Sequence, residues 1–423
     1  MKTILKEQRD FERAYLIQGA CEGRFKVAEC AERLGVSAQR VKQLKRAYRE
    51  KGAKAFIHGN KGKIPKSKIP EETRNKIIEL KNSSKYKNTN FFHFWELVKE
   101  YEGINCGYTA IRTILQSAGI TSNKKRRIKE KKSTHAPRPR RACFGELLQA
   151  DASQFDWLET GKRIVLHGYQ DDATGKITGL FLCKNECLLG YLEVTRRTIE
   201  KHGIPLSLYP DRVGIFFVNP KHRDILTIEE ELLGLEKAKT QMGKILDELG
   251  VEVFAASSPE AKGRIERLWG TLQGRLPTEF RLRDIKTIEE ANQFLLEYVD
   301  IFNQRFAVEP RREDNCFVPL CDLSFLDTLL AVKIVRKTNR EGVFSLDNHK
   351  FIIDNPVCHN RKVTLLLSDR IGFKAMIYKT LYDVRYVDYH DNKHMVKRMP
   401  EVTKTLIDKY LRSTAKFDNK NQA

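Results

Sequence analysis

Three carboxylates in this chain have the residue type and setting for one kind of chemistry. Asp151 lies near the centre of LLQADASQFDW, between Ala150 and Ala152. Asp211 closes LSLYPD, and Glu266 lies in GRIERLWGTLQGRL. Carboxylate oxygens are hard donors, and three at one point suit Mg²⁺ or Mn²⁺. Two such ions roughly 3.5–4 Å apart clamp the attacking and leaving oxygens of an in-line phosphoryl displacement. Taken singly, each has a plainer reading as a solvated or ion-paired acid. The elements around them have to bring them together.

From Gly145 onward, strands alternate with helices, the mark of an α/β domain. The pattern predicts strands over Leu147–Trp157, Arg163–Gln170 and Lys176–Cys183, with the turn Asp171-Asp172-Ala173-Thr174-Gly175 before the third. A helix follows over Asn185–His202, stopped by Gly203, then a strand over Leu206–Tyr209. Residues 212–228 are irregular and carry Lys221, His222 and Arg223; Ile228–Leu249 reads as a helix. Val251, Val253 and Ala255 alternate as a strand. Ser257 or Ser258 before Pro259 is a helix start, and Ile265, Leu268, Leu272 and Leu276 form an apolar stripe. Lys262, Glu266 and Gly270, four apart, share the adjacent face.

Three strands, a helix, a strand, a helix, a strand and a helix is the layout of a ribonuclease H-like fold. In that layout strands one and four are neighbours, so Asp151 and Asp211 meet at one sheet edge and the last helix brings Glu266. Rival acids have local explanations. Asp156 falls on the other strand face, Asp171 and Asp172 sit in a turn, and Glu260 suits the first turn of a helix.

The formal net charge of +22 points to a polyanionic partner, with nucleic acid ahead of membrane. No apolar run is long enough to span a bilayer, and the charged start MKTILKEQRDFERAYL does not read as a secretory signal. Nine scattered Cys without a C-x-x-C pair predict free thiols in a reducing cytoplasm. Near the start, helices over Phe11–Gly23 and Lys26–Leu34, a turn at Gly35 and a Ser37-capped basic helix match helix-turn-helix spacing. Gln39, Arg40, Gln43, Lys45 and Arg46 are types that reach base edges and phosphates. Residues 121–142 hold ten basic residues against Glu130, including Lys124, Lys125, Arg126 and Arg127, a block suited to tracking phosphates.

The expected organisation is multidomain: a helix-turn-helix domain over 1–52, a basic linker over 53–70, and a second helical domain over 71–120, either a further helix-turn-helix or a packing module. A basic linker spans 121–142 and the ribonuclease H-like core 143–306. A linker over 307–324, a small β-barrel of five short strands over 325–395, and a helix and tail over 396–423 complete the chain.

QADASQFDW, DDATG, LYPDR, TQMGKILDELGVEVFAASSPEAKGRIERLWGTLQGRL and IFNQRFAV together resemble the DDE insertion-sequence transposases with a retroviral-integrase-type core, nearest to the ISNCY group. The resemblance runs from about residue 10 to residue 380 and is densest over 145–306. It implies that Asp151, Asp211 and Glu266 bind two Mg²⁺ or Mn²⁺ ions, with Lys262 and Arg264 near DNA phosphate. It implies hydrolysis of a phosphodiester at the element end, then attack of the freed 3′-hydroxyl on target DNA. Binding of terminal inverted repeats, a homo-oligomer of at least two copies on paired ends, and action at the bacterial nucleoid follow from the same resemblance. Two other readings use the same features: a non-enzymatic helix-turn-helix regulator or decayed transposase, and a nuclease for RNA–DNA hybrids.

Overall fold

The computed structural model describes residues 2–56, 69–122, 139–211, 214–218, 239–254, 263–320, 322–387 and 399–412. The chain divides into two compact units, residues 1–75 and 76–423. The first holds helices α1 (Lys2–Cys21), α2 (Val27–Leu34) and α3 (Ala38–Lys51). Gly35 ends α2 in the left-handed region (φ 62°), where a side chain would be strained. The Ser37 hydroxyl accepts from the Arg40 amide and starts α3. Leu16, Ile17, Ala20, Cys30 and Val41 form the small core between them.

Helix α4 (Glu71–Asn82) crosses the division. In the second unit, α5 (Phe91–Tyr101) and α6 (Tyr108–Ser117) precede the main sheet. Strands β1 (Leu148–Phe155), β2 (Ile164–Asp171) and β3 (Ile177–Cys183) form an antiparallel meander. Helix α7 (Leu188–His202) leads to β4 (Ser207–Tyr209), which pairs parallel to β1, and β5 (Glu252–Val253) pairs parallel to β4. The order is β3-β2-β1-β4-β5, so the strands carrying Asp151 and leading to Asp211 are neighbours. Helix α8 (Gln241–Glu248) is the described part of the helix expected over 228–249. It is followed by α9 (Gly263–Gln273), α10 (Leu276–Leu282) and α11 (Ile288–Phe306).

Alternation along β1 separates two cores. Leu148 and Ala150 enter a cluster with Tyr169, Tyr191 and Leu208; Phe155 packs against the other, with Leu166, Leu180, Ile265, Leu268 and Leu272. The open edge of β3 is closed by α11. The Asn292 amide accepts from the Leu182 N–H at 2.7 Å and donates to its carbonyl at 2.9 Å. The Asn303 amide does the same at Ile177, at 2.8 Å for both bonds. Two side-chain amides thus stand in for a neighbouring strand.

Helix α5 sits against α10 through buried polar contacts. His93 Nε2 meets Glu279 at 2.8 Å, and Arg275 meets Glu96 at 2.7 Å. The expected linker over 307–324 runs back along the core. The amides of Val308, Arg312, Cys316 and Val318 bond the carbonyls of Thr174, Ala142, Phe144 and Ile204.

Beyond it lie β6 (Val332–Lys337), β7 (Val343–Leu346), β8 (His349–Ile352), β9 (Lys362–Ser368), β10 (Gly372–Ile377), β11 (Thr380–Asp383) and β12 (Arg385–Tyr386). They make a four-stranded sheet, β11-β10-β9-β6, and a three-stranded sheet, β12-β8-β7. This departs from the five strands that the sequence pattern predicts. Asp347 and Asn348 take positive φ (51° and 61°) and fold GVFSLDNHKFII into a hairpin. Val384 divides the last run between the two sheets. Phe344, Phe351, Val363 and Leu365 share the apolar cluster of Leu148 and Tyr169, so this region packs continuously with the main sheet. Helix α12 (Met399–Ile407) adds Val402 and Leu406 to it.

Candidate active site

Helix α9 is laid along one face of β1 by three rungs. The Ile265 N–H donates to Gln149 Oε1 at 3.2 Å. Trp269 Nε1–H donates to Asp151 Oδ2 at 2.8 Å, and Gln273 Nε2 donates to Ser153 Oγ at 3.0 Å. Two residues of strand advance roughly 6.7 Å and four residues of helix about 6 Å, so the rungs stay in step. On β2 the residue opposite Asp151 is Gly168. A Cβ there would stand 2.8 Å from Trp269 Cη2 and from Leu180 Cδ2, so the indole needs this glycine.

The start of α9 is anchored by a buried polar knot. Asp172, fully buried, accepts from Gln149 Nε2 at 2.8 Å, from the Arg141 N–H at 2.8 Å and from Arg264 at 2.6 Å. Its neighbour Asp171 accepts from the Gly145 N–H at 3.0 Å and from the Thr174 N–H and hydroxyl, each at 2.7 Å. Burial raises the Asp171 carboxyl above its ordinary range, against those hydrogen bonds. Asp156 accepts from the Thr160 and Gly161 amides, both at 2.9 Å, in the turn after β1. These acids organise turns.

Asp151 is half-buried at mid-strand on the face turned to α9. The parallel register pairs Gln149 with Tyr209; the same two-residue step leads to Asp151 on β1 and to the exposed Asp211 just past β4. Glu266 is exposed in the first turn of α9, three residues before Trp269, a spacing of neighbours on a helix surface. Among the described residues, no three Asp, Glu, His or Cys side chains are gathered closely enough to hold a metal ion. The donor type of the three carboxylates nonetheless fits Mg²⁺ or Mn²⁺, and the elements carrying them are adjacent.

No protein-family model matches the chain. It is 33% identical over 322 residues to the transposase for insertion sequence IS1202 of Streptococcus pneumoniae, covering 69% of this chain and 67% of that protein. The chain belongs to the insertion-sequence transposases. It is also 30% identical over 321 residues to the putative transposase y4bF of Sinorhizobium fredii, covering 76% of this chain and 67% of that one. Among solved structures, a simian T-cell lymphotropic virus intasome bound to PP2A regulatory subunit B56 gamma aligns over 69% of this chain and 98% of that one, at 14% identity and a TM-score of 0.30. The HTLV-2 integrase catalytic core domain in complex with magnesium aligns over 36% of this chain and 85% of that one, at 15% identity and a TM-score of 0.25.

In this transposase, Gln39, Arg40, Gln43 and Arg46 are exposed on α3. Lys45 turns inward, its ammonium donating to the Ala20 carbonyl at the end of α1 at 2.7 Å. Arg264, expected at a phosphate, pairs with the buried Asp172. Lys262, Lys124, Lys125, Arg126 and Arg127 lie outside the described residues, as does most of the segment between Asp211 and α8.

The transposase also brings up residues that sequence reasoning passed over. Trp269, next to Leu268 of the apolar stripe, reaches Asp151, and Gln149 and Gln273 hold the flanking rungs. Their spacings, two on the strand and four on the helix, were present in the sequence without a partner. Tyr191 on α7 donates to Glu186 at 2.9 Å, and burial, then the Glu186 and Asp151 carboxylates, push its phenol far above the usual range. It stays protonated and donates to Glu186.

Proposed function

We propose that this transposase cuts the ends of its mobile element and joins them to target DNA through a DDE-type site on a ribonuclease H-like core, as in the ISNCY group. Asp151, Asp211 and Glu266 are the ligands for two Mg²⁺ or Mn²⁺ ions. The observation that carries this reading is the bond from Trp269 to Asp151, which sets the helix of Glu266 against the strand of Asp151. The metal ions, when bound, supply charge to both the attacking and the leaving oxygens of the phosphodiester.

The chain's own groups do the rest. Asp151 is presented by a strand held on both sides, and Glu266 by a helix fixed at three rungs, which limits the movement of these two, while the three carboxylates have still to close on the ions. Lys262, one turn before Glu266, is the residue for a DNA phosphate; Arg264 keeps the start of α9 in place. Gln39, Arg40, Gln43 and Arg46 on α3 read the terminal inverted repeats, with Gly35 and Ser37 setting the helix-turn-helix. The basic block with Lys124, Lys125, Arg126 and Arg127 follows the DNA backbone, and the C-terminal strands, as a small barrel, hold DNA or a second protomer. Two element ends joined in one event call for at least a dimer, working on the bacterial nucleoid.

The test is cleavage of a DNA duplex carrying the element's end, in Mg²⁺, by the full chain. Asp151→Asn, Asp211→Asn and Glu266→Gln should each abolish cleavage while end binding survives. Full cleavage by any one of the three removes that residue from the site. Absence of Mg²⁺-dependent cleavage by the unaltered chain would leave only a DNA-binding regulator.

A further inference from the structure

The indole of Trp269 is nearly buried, at 6% exposure, yet its N–H is directed at a carboxylate rather than at a backbone carbonyl. The other two tryptophans donate to backbone carbonyls, Trp95 to Cys106 and Trp157 to Ser153. The ring is closely packed on one side. Gly168 and Leu180 form its floor, with close approach at Cη2. The rungs at Gln149 and Ser153 stop α9 from sliding along β1 in either direction.

We propose that Trp269 is a positioning residue for the phosphoryl-transfer site: its indole N–H holds Asp151 by Oδ2 and so aims the carboxylate at the metal. The inference rests on the reading of Asp151 as a metal ligand. An N–H on one carboxylate oxygen fixes the rotation of the group. It also takes up a lone pair that would otherwise compete for cation in a second orientation. Outer partners of this kind change metal affinity or activity by about 10- to 100-fold when removed. Because Glu266 precedes Trp269 by three residues on the same helix, the same bond ties the helix of one acid to the strand of another.

If Trp269 were only a core filler, phenylalanine would serve nearly as well, since most of the apolar ring is kept. Trp269→Phe removes the N–H, and Gly168→Ala keeps the N–H but pushes the indole off its floor. The measurement is Mn²⁺ binding to the full chain without DNA, by electron paramagnetic resonance, beside the Mg²⁺ concentration giving half-maximal end cleavage. Trp269→Phe is expected to weaken Mn²⁺ binding about 10- to 100-fold and to raise the Mg²⁺ requirement in proportion, with circular dichroism unchanged. Combined with Asp151→Asn, it should cause no further loss.

Wild-type Mn²⁺ affinity in Trp269→Phe, with Asp151→Asn having lost it, would overturn the role given to Trp269 and leave the metal site standing. Wild-type affinity in Asp151→Asn would overturn the metal reading itself. Should Trp269→Phe fail to fold, Gly168→Ala decides: a matching loss of Mn²⁺ affinity supports the positioning role, and unchanged affinity overturns it.

Discussion

The Arg264 guanidinium lies 2.6 Å from Asp172 Oδ1, and the carboxylate it meets is wholly buried. One residue sits two before Glu266 and the other just past the end of β2, so this pair ties the start of the candidate catalytic helix to the sheet. Gln149 joins the same two elements, donating to Asp172 and accepting from the amide of Ile265, the residue after Arg264.

Removing the cation alone leaves a buried charge, which costs about 3–5 kcal/mol. The Gln149 amide and the Arg141 N–H still donate to Asp172, so Arg264→Ala should lower the unfolding free energy in urea by roughly 3 kcal/mol. Arg267→Ala, at an exposed position one turn on, should stay within about 0.5 kcal/mol of wild type. Equal stability of the two variants would release Arg264 from its structural role and return it to the DNA.

Acid should weaken the fold through His167. Its Nε2 accepts from the Cys187 N–H at 3.3 Å, its Nδ1 faces the Phe181 carbonyl at 3.4 Å, and burial pushes it down to about 4. An unfolded histidine titrates near 6.5. Between those values the unfolded chain binds a proton that the folded imidazole refuses. Stability is therefore intact above about pH 6.5 and lost as pH falls toward about 4, by on the order of 3 kcal/mol from this residue. His202, pushed down to about 4 by burial and then by Lys201 and Lys176, acts in the same direction. Urea unfolding across that window should show a shallower pH slope in His167→Gln than in wild type; parallel slopes would acquit His167.

Asn292→Ala strips the β3 edge of a matched donor and acceptor at Leu182. Each unpaired buried peptide group costs about 1–3 kcal/mol, so a loss of roughly 2–4 kcal/mol is expected in chemical unfolding. The uncovered edge should also promote association, visible by light scattering. A variant as stable and as monodisperse as wild type would mean that α11 covers the edge without those bonds.

Exposure separates the residues of α3. Arg40→Ala and Arg46→Ala should weaken binding to end DNA and lower the salt slope by about 1 for each phosphate no longer neutralised, with thermal stability unchanged. Lys45→Ala should instead destabilise the N-terminal helices, because its ammonium closes the end of α1. Retained salt dependence in both arginine variants would move DNA reading away from this helix.

Much of this was legible in the sequence. The period-two pattern in LQADASQF and the apolar stripe through Ile265, Leu268 and Leu272 marked β1 and α9, because side-chain direction inside one element follows from backbone geometry alone. Ser37 and Gly35 marked the ends of two helices through capping and positive φ, both local effects. The order of strands and helices foretold that β1 and β4 would be neighbours. The five-strand expectation for the C-terminal region failed at Asp347-Asn348, a turn concealed within a continuous β-like run.

What the tertiary structure decided is which face meets which. Periodicity says that Asp151 and Trp269 each have a face; it cannot say that the two coincide, since they stand more than a hundred residues apart. A one-residue slip of β1 would turn Asp151 to the opposite core and bring Ala150 or Ala152 under the indole. Register, the bare Cα of Gly168, and the near-equal advance of two strand residues and four helix residues select the observed pairing. Those are properties of packed elements, and no stretch of sequence carries them alone.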